Sequence, residues 1–314
     1  MAKTDLTKSL LARFDRLKTQ RQNWETHWQE VADYMQPRKA DVTKKRARGD
    51  KRMEQVFDSS PIQAVELLAA SLHGMLTNPA TPWFSLRFKN SQLDMDDEAK
   101  LWLESATEVM YTAFSRSNFQ QEIFELYHDL ITFGTAAMHI QEDNKDVLKF
   151  STRHINEIYI AEDDKGGIDT VYRKFKLTVR AALQQFGKNT SLEIQKLATK
   201  DPYKEIEILH AVYPRSDYNP KLKDTDNMPF ESVYLEYKNA NELSVSGFQE
   251  FPFVVPRYLK ASHEVYGRSP AMTALPDVKM LNEMSKTTIK AAQKQVDPPL
   301  LVPDDGFLLP VRTV

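Results

Sequence analysis

Three short runs of carboxylates are the residues of this chain whose types and spacing best fit metal chemistry. They read DMDDE at residues 94–98, AEDDKGG at 161–167 and PDDGF at 303–307. Paired carboxylates bind hard divalent cations, so a metal-dependent hydrolase or nuclease is one interpretation of these runs. Asp and Gly also favour turns, because Asp bonds to nearby backbone and Gly tolerates positive φ. We therefore expect structural turns here and keep the metal-dependent enzyme as an alternative.

Other catalytic signatures are missing from the sequence. It contains no Cys, no GxxxxGK[ST] phosphate-binding loop, no HExxH among its 7 His and no GxSxG. His128 and Asp129 are adjacent, but neighbours on a helix point about 100° apart, so we interpret both as helix-surface residues. The sequence excludes thiol catalysis and thiolate metal sites, and it predicts neither an enzyme nor a bound cofactor.

Positive charge is concentrated in residues 38–52, which hold eight basic and two acidic side chains. This segment is too polar to fold alone, and it has no aromatic residues on which bases would stack. Two interpretations stay open: a solvated mobile loop, or a contact with nucleic acid or with an acidic protein surface. The candidate contact residues are Arg38, Lys39, Lys44, Lys45, Arg46, Arg48, Lys51 and Arg52.

A second basic group lies on a helix predicted over residues 276–296. At about 100° per residue, five charged side chains fall on one narrow stripe: Lys279, Glu283, Lys286, Lys290 and Lys294. The opposite side carries small or flexible residues such as Met280 and Ala291, which let a neighbouring helix approach closely. The stripe is either a solvated surface or a face turned to a partner or a channel.

Composition limits the class of protein further. The chain has 314 residues, a formal net charge of -2 and a mean hydropathy of -0.53, with no apolar run near the ~20 residues that a membrane helix needs. Residues 1–52 carry 14 basic and 7 acidic side chains, which leaves 28 basic and 37 acidic side chains for the rest. We expect a protein without membrane spans or disulfides, which resides in a reducing cytoplasm and presents one surface to an acidic partner.

Helical spacing dominates the first 133 residues. Residues 1–36 form one long amphipathic helix with two Trp on its apolar stripe, which favours either a monomer core or packing across a large assembly. In residues 58–133 the pattern predicts a nearly all-apolar, central helix and two further helices over 97–116 and 119–133. Ser60 would cap the first of these three helices in a capping box with Gln63.

The apolar period changes towards two after Gly134. The strings AAMHIQ, VLKFST, EIYIAE, DTVYRKFKLT, EIEILHAVYPR, FESVYLEY and FPFVVPRY predict strands, with a hairpin turn at DDKGG and a short helix at TVRAALQQFG. A helical part over 58–133 followed by a strand-rich part over 135–260 indicates an α+β fold rather than alternating βαβ units.

Several strings taken together resemble one known family. They are LLARFDRLKTQRQNWETHWQEVADYMQP, VFDSSPIQAVELLAASLHGMLTNPATPWFSL, SNFQQEIFELYHDLITFGTAAMHI, FPFVVPRY, EVYGRSPAMTALPDVKMLNEM and DPPLLVPDDG. In this order, and over essentially the whole chain, they are similar to the head-to-tail connecting, or portal, proteins of short-tailed (podovirus-type) double-stranded DNA phages.

The resemblance implies a specific layout of the portal-protein fold. Residues 1–265 would form a helical and strand-rich wing, residues 266–296 a stem helix beside a channel, and residues 297–314 the start of a clip that includes Pro298, Pro299, Asp304 and Asp305. Members of the family normally continue further, so we expect that the C-terminal part of the fold is missing from this chain.

The resemblance also implies a function and a set of partners. Twelve identical subunits would form a ring at one capsid vertex, through which double-stranded DNA enters during packaging and leaves at infection, without sequence-specific binding. The terminase large subunit and later a tail adaptor protein would dock on the ring. Major capsid and scaffolding proteins would hold the outer rim of the ring. The protein would be a non-enzymatic part of the virion, assembled in the host cytoplasm. A non-portal phage structural or scaffolding protein is the alternative.

Overall fold

The first element is a helix of 33 residues, α1 (Lys3–Met35). The structure is a computed structural model that describes residues 3–44, 46–47, 49–89, 96–219, 221–222 and 224–299. The predicted amphipathic stripe is confirmed, because the side chains that share it are buried: Leu10, Phe14, Arg21, Trp28, Val31 and Met35. Pro37 opens a short 3-10 turn, Pro37–Lys39, directly after the helix, and its ring is incompatible with continued helix.

Three helices follow, and the predicted bounds of the last two are confirmed. They are α2 (Ser60–Leu76), α3 (Asp97–Arg116) and α4 (Phe119–Phe133). The predicted cap of α2 is wrong: Ser59 is the N-cap without a side-chain cap bond, and the Asp58 carboxylate instead accepts from the Ser60 N–H at 2.8 Å.

The prediction that α2 is a central core helix is also wrong. Only one side of α2 is buried, at Pro61, Val65 and Ala69. On the other side Leu67 is 71% and Met75 is 82% exposed. α3 has no buried residue at all, although it carries large apolar side chains. Within the described residues, both helices therefore present apolar surface to solvent.

The strand-rich part contains two antiparallel sheets. The smaller has the order β2-β1-β8 and the larger is a meander, β3-β4-β5-β6-β7. Their strands are β1 (Ala137–Asp143), β2 (Val147–Arg153), β3 (Ile158–Glu162), β4 (Ile168–Thr178), β5 (Glu205–Pro214), β6 (Phe230–Glu236), β7 (Glu242–Phe248) and β8 (Phe253–Val254). The α+β prediction is confirmed by helices that precede this strand-rich part.

Details of this part differ from the sequence prediction. The hairpin between β3 and β4 is confirmed: Asp163 accepts from the N–H groups of Lys165 and Gly167 at 2.9 and 2.7 Å. The helix at TVRAALQQFG is α5 (Val179–Phe186). Sequence reasoning missed β7 and a second short helix, α6 (Leu192–Lys200). The predicted strand at FPFVVPRY shrinks to two residues, since its prolines cannot donate to a ladder.

The two halves of α1 belong to different cores. Near its start, Leu10 and Phe14 pack on one face of the large sheet, where Phe14 meets Tyr159 edge-on at 4.7 Å. Near its end, Trp28 and Met35 join the main core with α4, the small sheet and a final helix, α7 (Pro270–Val296). α1 thus connects the strand-rich part to the helices.

Arg21 lies at the junction of these two cores and is 1% exposed. Its guanidinium donates to the backbone carbonyls of Ile155, Asn156 and Ile158 and to the Glu25 carboxylate. It also lies over the Tyr159 ring, 3.7 Å from the centroid. The carbonyls belong to the segment that joins β2 to β3, so Arg21 holds the crossover between the two sheets against α1.

None of the helices built from the described residues combines the length and the apolar character that a bilayer-crossing segment requires.

Replacing Arg21 by Met keeps a long side chain but leaves three buried carbonyls without this donor. We expect Arg21→Met to lower the free energy of unfolding by about 3 kcal/mol or more, measured by urea denaturation. Arg16→Met is the matched control, because Arg16 is exposed on the same helix and its loss should cost less than about 0.5 kcal/mol. Equal effects of the two substitutions would contradict the anchoring role of Arg21.

Candidate functional site

The candidate site is the final helix α7 and the charged surfaces beside it. α7 begins at Pro270, six residues before the start predicted from helical spacing and within the 266–296 range that the resemblance implies, and Pro276 lies inside it. Ser269 caps the helix: its Oγ accepts from the Met272 N–H at 3.0 Å and donates to the Thr132 carbonyl at 2.9 Å. The Pro in the interior hid this start from sequence reasoning, because Pro normally marks a first turn.

Two glycines hold the base of α7 against the end of α4. Gly134 ends α4 in the left-handed region at φ 74°. A Cβ on Gly134 would lie 2.3 Å from the Gly267 carbonyl oxygen, and a Cβ on Gly267 would lie 2.4 Å from the Gly134 carbonyl oxygen. The Thr135 hydroxyl accepts from the Gly267 N–H at 2.8 Å. The backbones therefore touch at a point where no side chain fits.

Asn282 clamps the middle of α7 to the segment before α2. Its buried amide oxygen accepts from the N–H groups of Phe57 and Asp58 at 2.7 and 3.3 Å, and its Nδ2 donates to the Gln55 carbonyl at 2.9 Å. Sequence reasoning missed this residue. The isolated polar residue on a helix between Leu281 and Glu283 gave no signal that could distinguish it from a solvated one.

The predicted basic stripe lies on the exposed surface of α7, and its inner half is paired. Lys279 bonds to Glu30 of α1 at 2.5 Å, and this hydrogen bond raises the lysine pKa. Lys286 bonds to Glu283 within the helix at 2.9 Å. Lys290 and Lys294 have no ion-pair partner among the described residues. The uncompensated charge is thus near the outer end.

The outer part of α7 stands away from the rest of the described chain. Every residue from 287 to 299 for which burial is described is exposed, and Val296 is 87% exposed. Apolar side chains along the helix are also open: Met280, Leu281, Met284, Ile289 and Val296. An isolated helical segment this short is marginal in water.

Most described cations of residues 38–52 are paired with carboxylates of the same chain. Lys44 and Arg46 meet Asp33 of α1 at 2.5 and 3.5 Å, and Arg52 meets Asp41 at 2.5 Å. Lys51 has no such partner among the described residues. Lys45 and Arg48 lie outside the described residues. The loop lies against α1 and α4, and much of its charge is compensated there.

Lys39 of this segment reaches two carboxylates of α4, which corrects the prediction that His128 and Asp129 lie on a helix surface. Both are buried. The Lys39 Nζ lies 2.6 Å from Asp129 Oδ1 and 2.5 Å from Glu125 Oε1. Burial raises the pKa of Asp129 to about 6 against the opposing effect of Lys39. Helical spacing was read correctly; what it could not show is that α2 and the 38–52 loop cover this side of α4.

The remaining predicted positions lie at the chain's C-terminal side. Pro298 and Pro299 are exposed just after α7. Asp304 and Asp305 lie outside the described residues, as does the PDDGF run. Within the described ranges, no cluster of three His, Asp or Glu side chains has the geometry to hold a metal ion.

Comparisons with known proteins point to one family. The sequence profile described as bacteriophage head to tail connecting protein matches residues 7–313. The chain is 34% identical over 320 residues to the probable portal protein of Bordetella phage BPP-1, across all of this chain and 58% of that protein. It is 32% identical over 309 residues to the portal protein of Salmonella phage epsilon15, across 96% of this chain and 55% of that protein. The chain therefore spans little more than half the length of these relatives.

The raised pKa of Asp129 predicts a specific pH dependence of stability. The folded state binds this proton more readily than the unfolded state, so the contribution of Asp129 to the free energy of unfolding falls as pH rises from about 4 to about 6. In Asp129→Asn this decline, on the order of 1 to 3 kcal/mol, should disappear. Urea titrations at closely spaced pH values measure it.

Asp15→Asn serves as the control for that experiment, because Asp15 is exposed on α1. The stability of this control should follow the wild-type pH profile. If the stability of Asp129→Asn shows the same pH profile as that of the wild type, Asp129 stays ionised throughout this range.

Proposed function

Because the chain belongs to the bacteriophage head to tail connecting protein family, we propose that it is a portal protein. Its subunits form a closed ring at one vertex of the capsid, and double-stranded DNA passes through the central channel during packaging and ejection. The ring is part of the virion and assembles in the host cytoplasm. It plays a structural role without catalysis, and its surfaces receive the terminase large subunit, the tail adaptor, and the major capsid and scaffolding proteins.

The observation that carries this proposal is apolar surface left open on several separate elements. Leu67 and Met75 of α2, Trp102 of α3 and Met284 of α7 are each more than half exposed. Large open apolar surfaces mark protein contacts. Different faces on one subunit suit heterologous contacts, which generate a ring when the rotation closes. The number of twelve subunits rests on the family resemblance alone.

We propose that the chain follows the layout of the portal family. Residues 1–265 form the wing, in which α1 links the helices to the two sheets. Residues 266–296 form the stem, of which α7 is the helix, and the clip would begin at residue 297, with residues 300–314 outside the described part of the chain. The open outer part of α7 supports this assignment, because a stem helix packs against neighbouring subunits.

The distribution of charge on α7 is compatible with a channel wall. Each Lys or Arg that neutralises a phosphate adds affinity and salt dependence, and a conduit must let DNA slide. Lys279 and Lys286 are paired within the chain, whereas Lys290 and Lys294 have no ion-pair partner in the part of the chain that the structure describes. We propose that this outer stripe faces the channel or a partner. The 38–52 loop, with much of its charge paired, is the secondary candidate for such a contact.

Assembly tests the proposal directly. The complete protein should form a closed ring of about a dozen subunits with an axial hole, seen by negative-stain microscopy and mass photometry. We expect Leu67→Lys with Met75→Lys to abolish ring assembly while the subunit stays folded, since these side chains are 71% and 82% exposed and their replacement costs the isolated subunit little.

Leu192→Lys is the matched control, because Leu192 of α6 is 72% exposed. This variant should keep the ring. A wild-type protein that stays monomeric would overturn the portal assignment. Intact rings in the double variant would show only that α2 is not part of the interface between subunits.

Reversing charge on the stripe tests its role. Lys286→Glu with Lys290→Glu should reduce the yield of DNA-filled particles several-fold or impair ring assembly, because a repulsive surface would replace an attractive one. Lys196→Glu with Lys200→Glu makes the same change at the same spacing on α6 and should leave both unchanged. Normal packaging and normal assembly in the stem variant would contradict a channel- or partner-facing stripe.

A further inference from the structure

A polar cavity of about 290 Å³ lies between the two sheets, away from α7. The small sheet contributes His139 of β1 and Arg153 of β2, and the large sheet contributes Arg173 of β4, His210 of β5 and Tyr234 of β6. Arg173, His210 and Tyr234 are direct cross-strand neighbours, so they form one row across the large sheet. Nitrogen-bearing side chains from both sheets therefore converge on one space.

Arg153 is the unusual member of this group. Its Nε is buried and has no hydrogen-bond partner, and its guanidinium makes no ion pair among the described residues. The nearby carboxylates are engaged elsewhere: Glu157 pairs with Arg173 at 2.8 Å, and Glu122 accepts from the Thr152 N–H at 2.5 Å. A half-buried guanidinium without a partner is costly, because it has lost water without gaining an acceptor.

The two histidines add potential donors on the same cavity. His139 is buried, and its Nε2 has no hydrogen-bond partner in the described part of the chain. His210 Nε2 lies 2.9 Å from the Ser232 hydroxyl. Burial, with the nearby arginines, lowers the pKa of His139 to about 4 and that of His210 well below its usual value. Both rings are therefore neutral near pH 7, and each carries one N–H.

Aromatic packing holds these donors in place. The His210 ring stacks on Tyr234 at 3.8 Å with an interplanar angle of 3°, and the His139 ring packs on Phe253 at 4.5 Å. Donors that are already fixed bind charge more strongly than mobile ones in water, because they need little reorganisation. The cavity thus holds a guanidinium, that of Arg153, without an ion-pair partner among the described residues, and side chains that can donate hydrogen bonds from fixed positions.

We propose that this cavity binds a small oxyanion, the group shared by inorganic phosphate and carboxylates. Arg153 supplies the charge, and its guanidinium geometry suits two parallel bonds to oxyanion oxygens. Arg173, already paired with Glu157, and the unpartnered Nε2 of His139 border the same space. The site uses residues of the sheets of one subunit, so it is independent of ring formation and of the portal assignment.

Calorimetric titration with inorganic phosphate at pH 7.5 tests the site, with chloride adjusted to keep ionic strength constant. We expect saturable binding of one phosphate per chain. Arg153→Gln should raise the dissociation constant for phosphate by at least about tenfold, the factor expected for loss of one charge-assisted hydrogen bond. Lys149→Gln removes one charge from an exposed residue of the same strand and should leave the affinity unchanged.

Thermal unfolding provides a second, independent readout of phosphate binding, because a ligand that binds only the folded state raises the melting temperature. Phosphate should raise the melting temperature of the wild type and of Lys149→Gln, but not that of Arg153→Gln. In phosphate-free buffer Arg153→Gln should melt no lower than the wild type, because it removes an uncompensated charge. If Arg153→Gln fails to fold, the wild-type titration and a His139→Phe variant with reduced affinity still test the site.

Acetate distinguishes the two sources of an oxyanion. Competition between acetate and phosphate would support a site that also accepts carboxylates, and binding of phosphate alone would support a site for tetrahedral anions. No saturable binding of either anion to the wild type at 10 mM, the order of magnitude at which a weak anion site fills, would overturn the proposal. Equal phosphate affinity of the wild type and Arg153→Gln would overturn it as well.

Discussion

The buried guanidinium of Arg21 sits where the chain passes from one sheet to the other, and the positions of both sheets depend on it. β2 belongs to the small sheet and β3 to the large one, so residues 154–157 form the crossover. Burial of a charged group costs several kcal/mol unless nearly all its donors find acceptors. This requirement is met by the crossover carbonyls of Ile155 and Asn156, by the Ile158 carbonyl at the start of β3 and by Glu25. The cavity lined by Arg153 and Arg173 lies beside the same junction, since both residues flank the crossover in the sheet register.

Elements with strong local signals could be predicted from the sequence. The apolar stripe of α1, the break between α3 and α4, and the Asp-Gly turn between β3 and β4 all depend on neighbouring residues, and all are confirmed. β7 was missed because its sequence, ELSVSGF, is rich in Ser and Gly, and pairing with β6 supplies the order that propensity does not. The predicted burial of α2 is too high, because an apolar composition does not indicate which side of a helix packs against the rest of the same chain.

The candidate charged residues show a second limit of prediction from sequence: a charge can be located, but its ion-pair partner cannot. Counting charges identified residues 38–52 as basic, but the count does not include Asp33 of α1, which pairs with Lys44, or Asp129 of α4, which pairs with Lys39 from 90 residues further along the chain. The same holds for Asn282 and for the two contacting glycines, whose roles arise from segments more than a hundred residues apart. Such pairings depend on the tertiary fold, so the sequence located the charged surfaces but not their state of compensation.

The contact between Gly134 and Gly267 gives α7 the mechanics of a lever. A helix of 27 residues is about 40 Å long, and from residue 287 outward every residue of the helix is exposed in the described chain. The two backbones leave no room to slide where the glycines meet, so this point fixes the base of α7. Asn282 holds the middle of the helix as well. A sideways load on the outer end therefore turns the helix about Asn282 and presses its base against the end of α4 and the start of β1.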